Sequence, residues 1–575
     1  MDGRFDEATL TLMRNLALQN AIQHGHAHPK ALMGKLLGQR ADLRSAVPAV
    51  VEALERIVSE VNAMDSGERR SALDASAPEM LDAKPKNVRP RGLPDLPDRS
   101  GDVVLRFAPN PNGPLSFGHS RGVAINAAYA KRHGGTFILR FDDTDTVRKP
   151  PLDWAYDHIT EEVTWLVGSP PDRVVLASDR VEVYHAHAKA LLEQGGAYVC
   201  RCTADAFRGY RESKSACPCR DRPIEDSNAD WQQMIEGRFS AGEAVVRIRT
   251  AMDLPNPALR DWPALRIQDT DRNPHPRPEV GSRHKVWPLL DFQSAIEDHE
   301  QGVTHIIRGK DLMDSTRKQM LLYEHFGWTY PVTLYWGRVK VHEFGSFSTS
   351  SMREDIANGK FDGWDDARLP TLAALRRRGV QPKALVDFWE ELGLTQKDIR
   401  ASLSTLWSHN ANRIDASAPR LAFVRTPRRI MVSGIPSDHP DALKVPRHPT
   451  APLGERILPL KIDENSAAIL VDEEDAKVLD SGAYRLKEWC DIVVEDGVHG
   501  FDHGQASDRR ILHWLPEEVA RPATLEVPEG ESRVRWLGYI ERHTLKKGDL
   551  VQLERIGYAR YEGMKDDVDS FVFLH

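Results

Sequence analysis

The sequence predicts a multidomain protein organised around an α/β, Rossmann-like parallel sheet, with a helical appendage before it and all-β modules after it. Three observations predict this. The 575 residues are enough for about three to five domains. Strand-length apolar runs alternate with helical stretches over residues 101–199 and again over 286–345, the rhythm of a parallel sheet. Beyond residue 420 short Val, Ile and Leu runs are punctuated by Gly and Pro, as in barrels or sandwiches. Hydrophobic residues make up 41% and charged residues 28%, a composition that supports real cores. No apolar run approaches the roughly 18 residues of a membrane span, and the acidic N-terminus lacks the apolar stretch of a signal peptide. A cytoplasmic protein with no membrane partner is therefore expected. With a net charge of -8, any nucleic-acid partner has to be met by local basic patches.

Taken in order, residues 1–81 read as a helical N-terminal domain. Its clearest helix covers residues 49–64, with Val50, Leu54, Ile57, Val58 and Val61 on one side. No chemistry is visible there, and a docking or spacer role is expected. Residues 82–100 carry Pro85, Pro90, Pro94 and Pro97 among charges and read as a linker. Residues 101–199 give strands over 102–107 and 136–141, the second delivering Asp142-Asp-Thr-Asp145, with helices over 153–167 and 179–193. Residues 200–285 interrupt the alternation. It resumes over 286–345, with helices over 291–301 and 315–326 and a strand over 303–307 that ends at Arg308. Residues 346–419 start as a polar Ser-rich loop and continue as a helical stem containing Arg376-Arg-Arg378. Residues 420–575 form the β-rich region.

The first strand runs into Arg106-Phe-Ala-Pro-Asn-Pro-Asn-Gly-Pro-Leu-Ser-Phe-Gly-His119. Pro109, Pro111, Gly113 and Pro114 forbid regular structure, and a helix starts near Gly118 and is stopped by Gly134-Gly135. A strand, a tight loop and a helix N-terminus form a ready phosphate site, because free backbone N–H groups point at the anion. Neither G-x-G-x-x-G nor G-x-x-x-x-G-K-[ST] is present. Asp142 and Arg308 fall at strand ends, where parallel sheets place their sites; as isolated residues they read equally as a turn acid and a surface ion-pair partner.

Cys200-Arg-Cys202 and Cys217-Pro-Cys219 gather four thiols within twenty positions. In a reducing compartment clustered thiols read as metal ligands, and four thiolates suit a closed, structural, tetrahedral zinc site. The C-x-C spacing is tighter than the usual C-x₂-C, and buried or redox-labile thiols are the alternative. Cys490 stands alone and reads as an ordinary core residue.

The loop at 106–119 resembles the "HIGH" loop of class I aminoacyl-tRNA synthetases, in the long form of the glutamyl and glutaminyl enzymes, with Ser116-Phe-Gly-His119 as its core. Further blocks match in order. They are residues 139–145 (LRxxDTD), the paired cysteines, residues 288–308 with DH-x-x-GVTH-x-x-RG, residues 346–351, 364–379 and 548–557. The whole resembles an archaeal-type glutamyl-tRNA synthetase from about residue 102 onward. That resemblance implies attachment of L-glutamate to tRNA(Glu), with tRNA(Gln) as a further candidate acceptor, through glutamyl-adenylate made from ATP with Mg²⁺. It implies catalytic roles for His119, Ser116 and Asn112, and an ATP site from Pro111, Asn112, Gly113, Gly118, His119, Arg338, Val339, Ser348 and Thr349. Arg106 and Arg308 would take the two carboxylates of glutamate and Asp142 its ammonium. The β-rich end would be the anticodon-binding barrels, with Arg376, Arg377, Arg378, Arg420, Arg425, Arg428 and Arg429 as candidate phosphate contacts.

Three departures from the family pattern stand out. Ser116 replaces the first His of the HIGH core. The KMSKS-like loop reads Ser346-Phe-Ser-Thr-Ser350, without lysines, so Arg353 or Mg²⁺ is expected to supply the missing charge. Leu290 stands where many relatives have a tyrosine. A glutaminyl-tRNA synthetase and a non-catalytic tRNA-binding paralogue are the competing readings.

Overall fold

In the computed structural model the described residues are 5–80, 92–98, 101–341, 343, 347–504 and 509–575. The chain forms two compact units, residues 1–90 and 91–575. The first unit holds α1 (Glu7–His24), α2 (Pro29–Gln39), α3 (Val47–Ala63) and α4 (Ser66–Ser76). Asp6 and Asp65 cap α1 and α4, the latter in a capping box with Glu68. The expected apolar side of α3, Val50 to Val61, is buried in the bundle core, at about 1.5–3 kcal/mol for each large side chain.

The second unit opens with the predicted linker, and its described part is a correction. Residues 92–98 pack on the α/β body rather than bridging space. Leu93 and Leu96 are buried, and the carbonyls of Leu93, Pro94 and Pro97 accept from Arg132, Tyr129 and His305. Residues 82–91, 99 and 100 lie outside the described residues.

The α/β body alternates β1 (Val104–Phe107), α5 (Phe117–His133), β2 (Thr136–Phe141), α6 (Ala155–Val167), β3 (Arg173–Leu176) and α7 (Val181–Glu193). An insertion follows with β4 (Ala197–Cys200), α8 (Ala204–Glu212), α9 (Ile224–Ile235), β5 (Val245–Ile248), β6 (Pro263–Ile267) and β7 (Val286–Pro288). Its four strands form an antiparallel sheet in the order β4-β5-β6-β7, so it begins and ends about three residues outside the predicted 200–285. The body resumes with α10 (Leu290–Glu300), β8 (His305–Gly309), α11 (Met313–Phe326) and β9 (Val332–Trp336). Strands β1, β2 and β3 are parallel, as are β8 and β9. The Thr304 N–H donates to the Val104 carbonyl at 3.0 Å, which sets β8 beside β1. The direction of winding reverses between them, and the C-terminal ends of these two strands are where such a sheet binds ligands.

The stem contains β10 (Val339–Val341), α12 (Thr349–Ala357), α13 (Leu372–Arg378), α14 (Pro382–Leu392), β11 (Ile399–Ala401) and α15 (Leu403–Ile414). Beyond it lie a seven-stranded and an eight-stranded sheet, each with its own apolar core. The edges of the seven-stranded sheet are Arg420–Leu421 and Phe423–Arg425, which adjoin in the chain, so the sheet curls into a barrel. No helix among the described residues is long and apolar enough to cross a membrane.

Candidate active site

Two adjoining cavities open at the strand ends. The smaller, about 190 Å³, is lined by Arg106 and Phe107 of β1, Asp142 after β2, Arg308 of β8, Leu290, Asp291 and Ser294 of α10, Gln319 of α11, and others. The structure thus brings together the three residues expected to hold the amino acid. Leu290, exposed, is on its wall.

Beneath this cavity runs a buried chain of charge that sequence reasoning missed. Arg106 pairs with both oxygens of Asp298, at 3.0 and 3.2 Å. Arg140 donates to Asp298 at 2.7 Å, to Asp142 at 2.8 Å and to Ser294 at 2.8 Å, and Gln293 donates to Asp142 at 2.9 Å. Burial pushes the Asp142 carboxyl up, against the pull of Arg140 and Gln293. Burial acts on Asp298 in the same sense, but Arg106 and Arg140 outweigh it and hold that carboxyl below the usual range. One terminal nitrogen of Arg308 reaches Thr316, Gln319 and Tyr330, while its Nε is buried with no hydrogen-bond partner among the described residues. Asp291 is neutralised by Lys318 at 2.6 Å. Three arginines against Asp142 and Asp298 leave one positive charge in excess, enclosed by protein, which favours a ligand of charge minus one.

The larger cavity, about 800 Å³, shares Gly309 and Trp336 with the first. It is lined by Ser116, Phe117 and Gly118 at the start of α5, by Arg121, Asp311 and Trp389, and by residues 337–341. Of the expected nucleotide set, Gly118, Arg338 and Val339 lie on its wall, as does Ser116 of the expected catalytic residues. Pro111, Asn112, Gly113, His119, Ser348 and Thr349 do not, and the reason is steric. The start of α12 covers the first loop: the Thr349 methyl would sit 2.7 Å from a Cβ on Gly113, and Arg353 donates to the Asn112 carbonyl. Ser346 lies outside the described residues.

The helix N-terminus is also less open than expected. Ser116 is its cap: the hydroxyl accepts from the His119 N–H at 3.3 Å, and His119 Nδ1 accepts from the Ser116 N–H at 3.2 Å. The Phe117 N–H is taken by the Pro370 carbonyl. Ser116 is thus spent on positioning, and the Gly118 N–H remains for an anion. His119 is exposed at the rim, 6.4 Å from Phe107 of the first cavity. Desolvation beside the loop, with the charge of Lys149, lowers it from the usual histidine range. A neutral ring accepting at Nδ1 carries its proton at Nε2, so His119 presents a donor.

Asp311 is the carboxylate on this wall, which suits an ion held mainly by phosphate oxygens. The four cysteine sulfurs lie within 4.8 Å of one another, with Cys200 to Cys217 at 3.9 Å and Cys202 to Cys219 at 3.8 Å. Thiolates about 2.3 Å from a tetrahedral zinc lie about 3.8 Å apart, so the set fits the metal. The Arg201 N–H already donates to the Cys219 sulfur at 3.4 Å.

The arginines expected at phosphates are largely structural. Arg376 pairs with Glu161, Arg377 with Glu562, Arg420 with Asp415, Arg425 with Asp472 and Arg429 with Glu517. Arg378 is buried and donates to the Phe573 and Leu574 carbonyls. Arg378 and Arg428 make no ion pair among the described residues, and of these two only Arg428 is exposed.

Residues 102–416 match the family described as tRNA synthetases class I (E and Q), catalytic domain, and residues 418–509 match its anti-codon binding domain. The chain belongs to this family. The glutamate–tRNA ligase of Methanosarcina mazei is 42% identical over 580 residues, covering 98% of this chain and 99% of its own. Those of Pyrococcus abyssi and Archaeoglobus fulgidus are 41% and 39% identical, each covering 97% of this chain and 98% of its own. In this class I synthetase, then, the cavities at the ends of β1 and β8 lie within the catalytic domain of the family.

Proposed function

We propose that this chain is a glutamate–tRNA ligase that forms glutamyl-adenylate from ATP and passes the glutamyl group to the terminal adenosine of tRNA. One observation carries the reading beyond the family: the amino-acid cavity holds one excess positive charge and opens into the nucleotide cavity. Glutamate brings two carboxylates and one ammonium, a net charge of minus one, and neutralises it. Glutamine is neutral overall and leaves a buried cation uncompensated, a cost of several kcal/mol at such sites. Asp142 takes the ammonium, and Arg106 and Arg308 take the carboxylates by charge-assisted hydrogen bonds.

The α-carboxylate is ionised at neutral pH, so its attack on the α-phosphorus needs no general base. It needs positioning and charge stabilisation. Arg106, locked by Asp298, fixes the carboxylate below the opening that Gly309 and Trp336 share. The Gly118 N–H and His119 Nε2–H donate to phosphate oxygens once α12 moves off the first loop. Mg²⁺, held by Asp311 and the phosphates, would neutralise part of the triphosphate charge when bound. Zinc on the four cysteines would stiffen the insertion. That sheet is tied to the substrate loop, with Gln268 bonded to Thr144 and Thr146 and Arg266 paired with Asp145 at 2.9 Å.

The test is aminoacylation of purified tRNA(Glu) and tRNA(Gln) with each amino acid. Glutamate alone should be attached. Attachment of glutamine would move the chain to the glutaminyl reading, and no attachment with intact tRNA binding would make it a non-catalytic paralogue. Whether tRNA(Gln) also accepts glutamate is read from the same plates, since the cavity decides the amino acid and not the acceptor.

A further inference from the structure

The lysine-free loop leaves open what meets the charge that develops on the leaving pyrophosphate. Arg353, the cation expected there, is not on the cavity wall, and its guanidinium is turned to the Asn112 carbonyl. The cations that do line the nucleotide cavity are Arg121, Arg338 and Lys340.

Two of these differ in kind. Arg121 is buried: its terminal nitrogens hold the Gly337 and Gly393 carbonyls at 2.9 Å, and its guanidinium lies over Trp336 and Trp389 at 5.3 and 5.7 Å. No carboxylate pairs with it among the described residues, and its Nε has no hydrogen-bond partner there. It is a fixed positive floor. Lys340 is exposed, and its register is set by β10 pairing in parallel with β11, Val339 opposite Ile399 and Val341 opposite Ala401. Val339 and Val341 pack against the core, so alternation turns Lys340 to the other face, beside Arg400. Lys340 makes no ion pair among the described residues, whereas nearby Lys310 is already spent on Asp398 at 2.9 Å.

We infer that Lys340, on the same cavity wall as the fixed charge of Arg121, is the polyphosphate-binding cation this chain uses in place of loop lysines. The inference rests on the ligase reading. As a glutamate carboxylate oxygen bonds to the α-phosphorus, the bond to the bridging oxygen breaks and its electron pair leaves with pyrophosphate. The Lys340 ammonium meets that new charge.

The experiment is ATP–pyrophosphate exchange by the full chain with saturating glutamate and tRNA. Lys340→Met should lower kcat by about 10²-fold and weaken inhibition by pyrophosphate, with the KM for glutamate and the melting temperature unchanged. Lys340→Arg should recover most of the rate, and Arg353→Ala should keep it. A wild type without exchange activity defeats the ligase reading itself. An active wild type whose Lys340→Met variant is equally active, or whose Lys340→Arg variant is as slow as Lys340→Met, overturns the lysine's role.

Discussion

Asp298 touches no expected substrate atom, yet it decides where two arginines point. Its fully buried carboxylate is shared by Arg106 and Arg140, so the smaller cavity is shaped by a residue behind its wall. Sequence made the front of this site legible and hid the back. Arg106, Asp142 and Arg308 stand at strand ends inside recognisable blocks. Asp298 and Gln293 fall in the 288–308 block and Arg140 in the LRxxDTD block, but a linear pattern does not say that their side chains meet behind the cavity. The same limit hid Lys340, which stands in the strand before the Ser346–Ser350 loop. At this scale the charge balance is testable. Arg308→Ala should raise the KM for glutamate by about 10²-fold, near 3 kcal/mol, and leave weak use of glutamine nearly unchanged, so discrimination shrinks. Equal losses for both amino acids would mean that Arg308 only supports the wall.

Among the elements, α5 illustrates how a motif can be read correctly and its roles still reassigned. The strand, loop and helix of 104–133 formed where the prolines and glycines put them. The capping box between Ser116 and His119, and the Pro370 carbonyl on Phe117, are contacts a linear pattern does not specify. The stem and barrel add a junction with its own pH response. His575 stacks on Trp407, lies against Tyr558, and is pushed down to about 4 by burial, with Arg378 adding to the effect. An ordinary histidine titrates near 6.5. The unfolded chain therefore binds the proton first, so the contribution is complete above 6.5 and is lost as pH falls through about 4. Allowing for the partial exposure of the ring, this amounts to about 2 kcal/mol. Thermal melts between pH 7 and 4.5 should show a shallower acid slope for His575→Phe than for the wild type. Parallel slopes would place the acid sensitivity elsewhere.

Across the whole molecule, the order of helical, alternating and β-rich regions was readable because composition changes between them. The packed stretch 92–98 was not, since prolines among charges suggest a tether whether or not two leucines find a core. Nor was the join at the far end of the seven-stranded barrel. There the Glu531 carbonyl accepts from Arg368, Lys360 pairs with Glu531 at 2.8 Å, and Arg533 pairs with Asp362. The insertion gives the prediction for this scale. Purified protein should carry about one zinc per chain by metal analysis, and Cys217→Ser should lose it and melt lower while still folding its catalytic cavities. Full stability without bound metal would leave the thiols as plain core residues.

The contact of Thr349 with Gly113 has a kinetic meaning. On the proposed reading a triphosphate tail approaches this loop, and the chain's own methyl group occupies space beside it. On that reading, arrival of the nucleotide waits on withdrawal of this segment, so the expected capture rate is set by the protein rather than by diffusion. Thr349→Ser, which deletes only that methyl, should quicken association of a fluorescent ATP analogue in stopped flow. An unaltered rate would mean that the segment swings clear on its own, faster than ligand arrives.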